Sequence, residues 1–311
     1  MNHDKTIYVK LTNACNLKCK HCYNAQFDNQ IYMPDDILAK VRKYIYSYAV
    51  ANSNKIIDVQ LHGGEPMLYD IDKINSLLDR FPENVKTSIT TNLVYRLTKE
   101  KIALFKRMLP YDDVPFIMTS WDAGIRFTGK QESIWKKNIL KLHENGIIVQ
   151  PIVCVTNELI KKEPAELFDM FDTLGIKHVN FERLTLTGNA ADGVLKPTNR
   201  EIDEWLFKAY LEAKERNIKV PLFESVENSV DGFFVGCRAR MCMQNVVTIN
   251  PDGTIAACPN AAKCWYATLT GIGTFNISRP TNKQHLDNIE KHKEYTCSIC
   301  KFYKYCNGDC C

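Results

Sequence analysis

The chain has 311 residues, which suggests about two domains, and 45% of them are hydrophobic, enough for a full apolar core. Its net charge of +4 and the lack of a dense Lys/Arg run argue against a nucleic-acid-binding surface. The sequence shows neither a signal peptide nor an apolar run of the roughly 20 residues that span a membrane. A cytoplasmic protein that does not contact the membrane is therefore expected.

Six segments rich in β-branched and apolar residues are predicted strands, at 6–12, 56–62, 85–92, 114–122, 147–156 and 178–186. A segment with helical periodicity follows each of them, at 34–50, 70–81, 98–109, 133–146, 164–175 and 198–217. This alternation predicts parallel strands with helical crossovers, an α/β fold. Six units form an incomplete, TIM-like (β/α)6 barrel, whose chemistry is expected at the carboxyl ends of the strands.

The pattern changes after about residue 225, where strands, turns and cysteines replace the strand–helix repeat. We therefore divide the chain into a barrel at 1–225 and a small cysteine-rich domain at 226–311. Within the second part, 246–258 contains a Pro-Asp-Gly turn and is predicted to form a β-hairpin.

The 13 cysteines are distributed unevenly. Three lie at 15, 19 and 22, Cys154 stands alone, and the other nine lie between 237 and 311. A cytosolic compartment keeps thiols reduced, so clustered cysteines indicate metal ligands rather than disulfides. The distribution predicts two metal-bearing regions joined by an ordinary scaffold.

Cys15, Cys19 and Cys22 follow the first predicted strand, on a loop. Three thiolates can hold three irons of a [4Fe–4S] cluster and leave the fourth iron open, as catalytic metals keep a vacant position. The alternative is a zinc site, which requires a fourth ligand such as His21.

The stretch TNACNLKCKHCYNA around these cysteines resembles the signature loop of the radical S-adenosylmethionine (SAM) superfamily, with His21 in the place of the aromatic-type residue. The resemblance implies that SAM chelates the open iron through its amino and carboxylate groups. It further implies that one electron from the cluster cleaves SAM to a 5′-deoxyadenosyl radical, which abstracts hydrogen from a substrate. A reductant such as flavodoxin or ferredoxin is implied as the electron source.

Gly63-Gly64-Glu65 follows the second predicted strand and matches the GGE motif of that family, which implies that Glu65 binds the SAM amino group. The two glycines allow backbone to approach a ligand closely. By itself such a triplet could also be a turn. Its position one strand–helix unit after the cysteine loop favours the SAM pocket.

Four further residues at or after strand ends resemble SAM-binding positions of the family. Asn92 lies in a TTN segment that matches TNG, with Leu93 in place of the glycine. Ser120 and Asp122 match a Ser-x-Asp position, which implies contacts to the SAM ribose, and Lys130 lies where a basic residue can meet the SAM carboxylate. Helix capping or a turn is the alternative role for Asn92, Ser120 and Asp122.

Two positions stay open in the sequence. His62 either faces the substrate or is an ordinary strand-end residue. Glu182 and Arg183 lie in a segment that resembles one in several radical SAM peptide maturases. Successive strand residues point to opposite faces, so only one of this pair can point inward.

The C-terminal cysteines resemble the SPASM extension of radical SAM enzymes, which typically holds two auxiliary [4Fe–4S] clusters. The resemblance implies a first auxiliary cluster on Cys237, Cys242, Cys258 and Cys310 and a second on Cys297, Cys300 and Cys306. Cys311 is either the remaining ligand of the second cluster, or that position is open or not a cysteine. A zinc ribbon is the alternative. Cys154 and Cys264 are either structural residues or hydrogen-atom donors of the kind that peptide epimerases use.

SPASM enzymes mostly modify peptides or proteins, so the first choice is maturation of a ribosomally made peptide (RiPP maturation) by crosslinking, epimerisation or oxidation. Only about six residues precede the first predicted strand, so we expect either that a separate leader-binding protein presents the peptide or that the substrate differs. Sulfatase-maturating enzymes place an Asp where this chain has Pro259, which argues against formylglycine formation.

Two alternatives remain. One is a radical SAM dehydrogenase or rearranging enzyme that acts on a small molecule. The other is a non-catalytic iron–sulfur or zinc module that binds partners or transfers electrons. An electron carrier has no use for Gly63-Gly64-Glu65 together with Ser120 and Asp122, which favours an enzyme.

Overall fold

The computed structural model describes residues 4–26, 29–110, 114–230, 245–263, 267–270 and 274–277, together with Ile299. These residues include the first cysteine cluster, Cys154 and Cys258. The other predicted cluster ligands lie outside the described residues, namely Cys237, Cys242, Cys297, Cys300, Cys306, Cys310 and Cys311. Cys264 lies outside them as well.

Six parallel strands alternate with six helices. The strands are β1 Lys5–Thr12, β2 Ile57–Gly63, β3 Val85–Thr91, β4 Phe116–Ser120, β5 Ile148–Val155 and β6 Asn180–Arg183. The helices are α1 Asp35–Ala51, α2 Ile71–Leu78, α3 Lys99–Phe105, α4 Gln131–Glu144, α5 Pro164–Thr173 and α6 Asn199–Glu215. Each strand pairs in parallel with the next along the chain. The predicted α/β fold class and its partial (β/α)6 barrel are confirmed.

The two faces of the parallel sheet differ in polarity. On β1, Ile7, Val9 and Leu11 are fully buried in the apolar core that the helices complete. Tyr8 and Lys10 alternate with them and therefore face the barrel interior. Burial of an apolar side chain of this size contributes about 1.5–3 kcal/mol, so the outer face stabilises the fold.

The barrel interior is lined by polar side chains that pair between neighbouring strands. Ser88 on β3 donates to Asp58 Oδ1 on β2 at 2.9 Å, and Gln60 Nε2 donates to Thr90 Oγ1 at 2.6 Å. In both pairs the β3 residue lies two positions beyond the residue opposite its β2 partner, since Asp58 is opposite Lys86 and Gln60 is opposite Ser88. The interior thus holds hydrogen-bonding groups that an apolar core excludes.

Four short strands extend the sheet beyond β1. They are β7 Val246–Ile249, β8 Thr254–Ala256, β9 Ala267–Leu269 and β10 Phe275–Ile277. β7 pairs in parallel with β1, and β7 to β10 pair antiparallel, so the sheet of the described residues runs β10-β9-β8-β7-β1-β2-β3-β4-β5-β6. The predicted hairpin is confirmed as β7–β8, and Gly253 in its turn has φ +80°.

A seventh helix, α7 Pro221–Val230, was not predicted. It runs across the predicted boundary between 225 and 226, and the division into two domains stays a prediction. Within the described ranges, no helix combines the length and the apolar character needed to cross a membrane.

Candidate active site

Cys15, Cys19 and Cys22 lie on the loop after β1, at the carboxyl end of the parallel sheet. Cys19 is buried, and the other two thiols are partly buried. Burial raises the pKa of the Cys15 thiol to about 11, so this thiol keeps its proton when no metal is bound. A thiol that coordinates a metal loses its proton, and a cluster would therefore reverse this preference. The three thiols fit an iron–sulfur cluster.

Gly63 and Gly64 pack against the cysteine loop at the end of β2. Gly64 N donates to Thr12 O and Glu65 N donates to Ala14 O, both at 2.8 Å. A Cβ atom on Gly63 or Gly64 would lie 2.1 Å from one of these carbonyl oxygens, which no side chain tolerates. The close approach is therefore to the loop backbone, whereas the sequence led us to expect an approach to a ligand.

Glu65 is fully buried where β2 and β3 end. Its Oε1 accepts hydrogen bonds from Met67 N at 2.9 Å and Thr91 Oγ1 at 2.7 Å, and its Oε2 accepts from Asn92 N at 2.7 Å. Burial raises the pKa of Glu65 to about 6, although these hydrogen bonds act in the opposite direction. The carboxylate is held in one orientation next to the cysteine loop.

Asn92 connects β3 to the cysteine loop. Its Nδ2 donates to Asn16 Oδ1 at 2.8 Å and lies 3.7 Å from Cys15 Sγ. Leu93, which stands where the family has glycine, is fully buried and has φ +54°. This left-handed conformation costs a non-glycine residue roughly 1–2 kcal/mol, which burial of the leucine side chain offsets.

The Asp122 carboxylate lies at the centre of a buried ion-pair network. Its Oδ2 accepts from Arg126 Nε at 2.6 Å and lies 3.2 Å from His21 Nε2, while its Oδ1 accepts from Cys154 N at 2.8 Å. Burial alone would raise the pKa of Asp122, but Arg126 and His21 hold it well below its usual range. Asp122 is therefore an ionised anchor for both side chains.

Sequence reasoning missed Arg126. Its Nη1 lies 3.6 Å from Cys19 Sγ and its Nη2 lies 3.3 Å from His21 Nε2. Lys130, the basic residue we expected here, is instead exposed at the N-cap of α4, and Ser120 is partly buried at the end of β4. Asp122 and Arg126 lie in the turn region after β4, and their opposite charges four residues apart were the signal available in the sequence.

Cys154 faces the barrel interior from β5, close to the same network. Ligand atoms of His21, Asp122 and Cys154 lie within 4.8 Å of one another. His21 Nδ1 is buried and has no hydrogen-bond partner among the described residues. An unpaired buried nitrogen next to the cysteine loop fits a pocket that takes a polar ligand.

His62 faces the barrel interior, and its contact with a substrate stays a prediction. Tyr23 Oη lies 3.2 Å from the His62 ring nitrogens, and the Tyr8 ring packs edge-on with its centroid 5.9 Å away. Burial and the nearby Lys10 lower the pKa of His62 to about 3. The imidazole is therefore neutral at physiological pH.

Glu182 points inward and Arg183 points outward. Glu182 Oε1 accepts from Asn180 Nδ2 at 3.0 Å on the interior side of β6. Arg183 is exposed and forms an ion pair with Asp203 of α6 at 2.6 Å. Of this pair, Glu182 is thus the residue that can act in the barrel interior.

Cys258 follows β8 and is the predicted auxiliary-cluster ligand that the described residues contain. Lys10 Nζ on β1 donates to the carbonyl oxygen of Pro259 at 2.7 Å. Burial lowers the pKa of Lys10 to about 7, while the sulfurs of Cys258 and Cys22 act in the opposite direction. The segment after β8 therefore contacts the barrel beside the first cysteine cluster.

Comparisons with known proteins point to one family. Residues 9–174, more than half of the chain, match the family model of the radical SAM superfamily. The serine-type anaerobic sulfatase-maturating enzyme of Klebsiella aerogenes is 22% identical over 323 residues, which span 96% of this chain and 77% of that protein.

Solved structures share the fold. The native enzyme anSMEcpe with bound AdoMet superposes with a TM-score of 0.66 at 15% identity, over 97% of this chain and 87% of that one. Streptococcus suis SuiB bound to its precursor peptide SuiA superposes with a TM-score of 0.63 at 18% identity, over 100% of this chain and 72% of that one.

Proposed function

The chain belongs to the radical SAM superfamily, and on that premise we propose that it cleaves SAM reductively to modify a ribosomally made peptide or protein. The observation that carries the proposal is the position of three thiols, at Cys15, Cys19 and Cys22, beside the charged groups of Glu65 and Arg126. Glu65 is fully buried and Arg126 is partly buried. All of them lie at the carboxyl end of the parallel strands, where barrels of this type place their chemistry.

The three thiols would hold a [4Fe–4S] cluster with one open iron. The cluster and SAM together would supply radical abstraction of a substrate hydrogen, with one electron from a donor such as flavodoxin or ferredoxin. The polar interior around His62 and Glu182 is where the substrate would lie.

The residues around the loop would orient SAM. Glu65 would accept a hydrogen bond from its amino group. Arg126 would bind its carboxylate in place of Lys130, because a guanidinium offers a planar pair of donors that matches a carboxylate. Ser120 would lie near the ribose, and Asp122 would hold Arg126 in position.

The comparisons support a peptide or protein substrate. The Klebsiella aerogenes relative is named for maturing sulfatases, and SuiB was solved with a precursor peptide. The C-terminal cysteines that resemble a SPASM domain support the same proposal, with two auxiliary clusters in addition to the SAM-binding one. A crosslink, an epimerisation or an oxidation would each begin with hydrogen abstraction from the peptide.

Sulfatase maturation is a second candidate, because the match to the Klebsiella aerogenes enzyme spans 96% of this chain. Pro259 stands where that group of enzymes has its Asp base, and its carbonyl is bonded to Lys10. We therefore rank another ribosomal peptide first. A sulfatase-derived peptide with a target serine separates the two candidates by mass spectrometry.

The test is anaerobic purification, reconstitution with iron and sulfide, and quantification of 5′-deoxyadenosine after SAM and dithionite are added. The wild-type protein is expected to form it. A variant with Cys15→Ala, Cys19→Ala and Cys22→Ala is expected to form none and to lose about four irons per chain. Cys154→Ala is expected to keep the full iron content, because Cys154 is not a predicted ligand.

If the reconstituted protein holds iron–sulfur clusters but forms no 5′-deoxyadenosine, a SAM-binding assay is needed. SAM that binds without being cleaved indicates that substrate triggers cleavage, and co-expressed peptides are then screened for mass changes. Failure to bind SAM would instead favour an electron-transfer module.

A further inference from the structure

Lys10 is a lysine with no solvent-exposed surface, in the middle of the strand that leads to the cysteine loop. A buried ammonium group is costly unless polar groups receive it. Its Nζ donates to the carbonyl oxygen of Pro259 at 2.7 Å, lies 3.4 Å from Asn24 Oδ1, and sits 5.1 Å from the centroid of the Tyr23 ring. Two of these neighbours follow Cys22 directly, and the third follows Cys258.

The segment after Cys258 has further contacts at this position. Asn260 Nδ2 donates to Thr185 Oγ1 at 3.0 Å, and Thr187 Oγ1 donates to the carbonyl oxygen of Asn260 at 3.2 Å. The residues after Thr187 then bind the cysteine loop, since Asn189 N donates to the carbonyl oxygen of Cys22 at 3.1 Å. Lys10 lies at the point where these segments meet, and its hydrogen bond to Pro259 joins residues that are 249 positions apart in the sequence.

We propose that Lys10 is a positioning residue that docks the Cys258 segment onto the first cysteine loop and supplies the positive charge between the two metal-binding regions. The electrostatic part rests on the proposed function, in which Cys22 and Cys258 bind separate iron–sulfur clusters. A compact ammonium on a long, flexible side chain suits this place, because it reaches the Pro259 carbonyl oxygen without the width of a guanidinium. The sulfurs of Cys258 and Cys22 are near enough to favour its positive charge.

Anionic clusters on both sides would favour the protonated form of Lys10, as the sulfurs of Cys258 and Cys22 already do. A positive charge in this position has a redox consequence. A cluster gains one negative charge when it is reduced, and a nearby buried cation stabilises that form. Removal of the cation therefore makes the neighbouring cluster harder to reduce. The fold of the barrel need not change, since Lys10 lies on the polar face of β1 and not in the apolar core.

Three variants test the proposal. Lys10→Met removes both the charge and the hydrogen bond, and Lys10→Gln removes the charge but keeps an amide donor. Lys5→Met is the matched control, because Lys5 is also a buried lysine of β1 but lies at its other end, 5.7 Å from the Tyr48 ring centroid. The readouts are amide hydrogen exchange of residues 257–263 and redox titration of the clusters followed by electron paramagnetic resonance.

In Lys10→Met, exchange in 257–263 is expected to be about tenfold faster than in the wild type, with no change in β8 and none in Lys5→Met. Lys10→Gln is expected to show a smaller increase in the exchange rate of these residues. It replaces Lys10→Met in the test if the Met variant does not fold. In both variants one cluster is expected to be about tenfold harder to reduce, which is about 59 mV for a one-electron couple.

If amide hydrogen exchange in residues 257–263 is unchanged in the Lys10 variants, the docking role is overturned, independently of the reduction potentials of the clusters. An unchanged potential in both Lys10 variants overturns the electrostatic role. If the wild type holds iron for only one cluster, the proposed auxiliary cluster at Cys258 is wrong, and hydrogen exchange alone then decides whether Lys10 docks the segment.

Discussion

Glu65 is a buried carboxyl group, and burial disfavours its ionised form. Burial raises its pKa to about 6, and three hydrogen bonds to its two oxygens limit the rise. In the part of the chain that the structure describes, Glu65 forms no ion pair, although the charge of Lys101 favours its ionised form. A cationic amino group of a ligand is therefore a suitable partner for this carboxylate. The side chain is therefore expected to bind SAM best in its ionised form, above pH 6.

Glu65→Gln is expected to weaken SAM binding by roughly 10- to 100-fold, since a hydrogen bond to a charged group contributes about 1.5–3 kcal/mol. In the wild type, affinity is expected to fall as the pH drops below about 6, because Glu65 becomes protonated. The Gln variant should lack this dependence. Isothermal titration of the anaerobic, reconstituted protein between pH 5 and pH 8 measures both effects.

Thr91→Val is the control, because it removes the hydrogen bond from Thr91 Oγ1 to Glu65 but keeps the charge. It is expected to weaken SAM binding less than Glu65→Gln does and to keep the pH dependence. Equal losses in the two variants would show that the geometry of the carboxylate matters and its charge does not.

Asp58 carries a carboxyl group that is destabilising at neutral pH. Burial raises its pKa to about 7, against the hydrogen bond from Ser88. Because the folded-state pKa lies above the usual value of 3.8, the group is tolerated at low pH and destabilises the fold as the pH rises through 7.

Asp58→Asn is expected to stabilise the protein by about 2 kcal/mol at pH 8 and to bring no gain near pH 4. A shift of this size corresponds to at most roughly 4 kcal/mol, and relaxation of the interior reduces it. Urea unfolding at the two pH values measures the difference. A variant that is less stable than the wild type at pH 8 would show that the ionised carboxylate has a partner in the barrel.

Among the elements, the connection between β6 and α6 supports the cysteine loop. Asn189 Nδ2 donates to the carbonyl oxygen of Cys19 at 3.0 Å, and Gly188 packs against Cys22. Gly188 and Gly193 both have positive φ angles, +59° and +74°. A Cβ atom on Gly188 would lie 2.3 Å from the carbonyl oxygen of Cys22, whereas one on Gly193 would meet nothing within 4 Å.

These two glycines form a matched pair. Gly193→Ala is expected to cost about 1 kcal/mol, the cost of a left-handed alanine, and to keep normal iron content. Gly188→Ala is expected to cost at least about 2 kcal/mol more and to lower the iron bound at the first cluster, because the Cys22 backbone must move. Thermal unfolding and iron analysis measure both, and equal behaviour of the two variants would contradict the role of the connection.

At the scale of the molecule, β1 is an inner strand of the described sheet, with β2 on one side and β7 on the other. In the part of the chain that the structure describes, β6 pairs with β5 on one side only. The amides of Ile7 and Val9 are therefore expected to exchange with solvent more slowly than that of Phe181. Hydrogen exchange by NMR tests this order, and equally slow exchange at Phe181 would indicate that another segment covers β6.

Much of the fold could be predicted because it depends on local patterns. The six strand–helix units follow from the periodicity of apolar residues, and the hairpin at β7–β8 follows from its Pro-Asp-Gly turn. The pairing of β7 with β1 could not be read in this way. It joins residues about 240 positions apart, and nothing in either strand specifies its partner.

The sequence by itself indicated the family, which the match of residues 9–174 shows, and it predicted the ligand loop from the spacing of Cys15, Cys19 and Cys22. Only the tertiary structure decided that Arg126 rather than Lys130 lies beside Cys19, that Glu182 rather than Arg183 faces inward, and that the glycines serve the loop backbone. Metal-ligand spacing is local, so the chain order shows it. Ion pairs and close backbone contacts join residues from different strands, so they exist only after the barrel has brought those strands together.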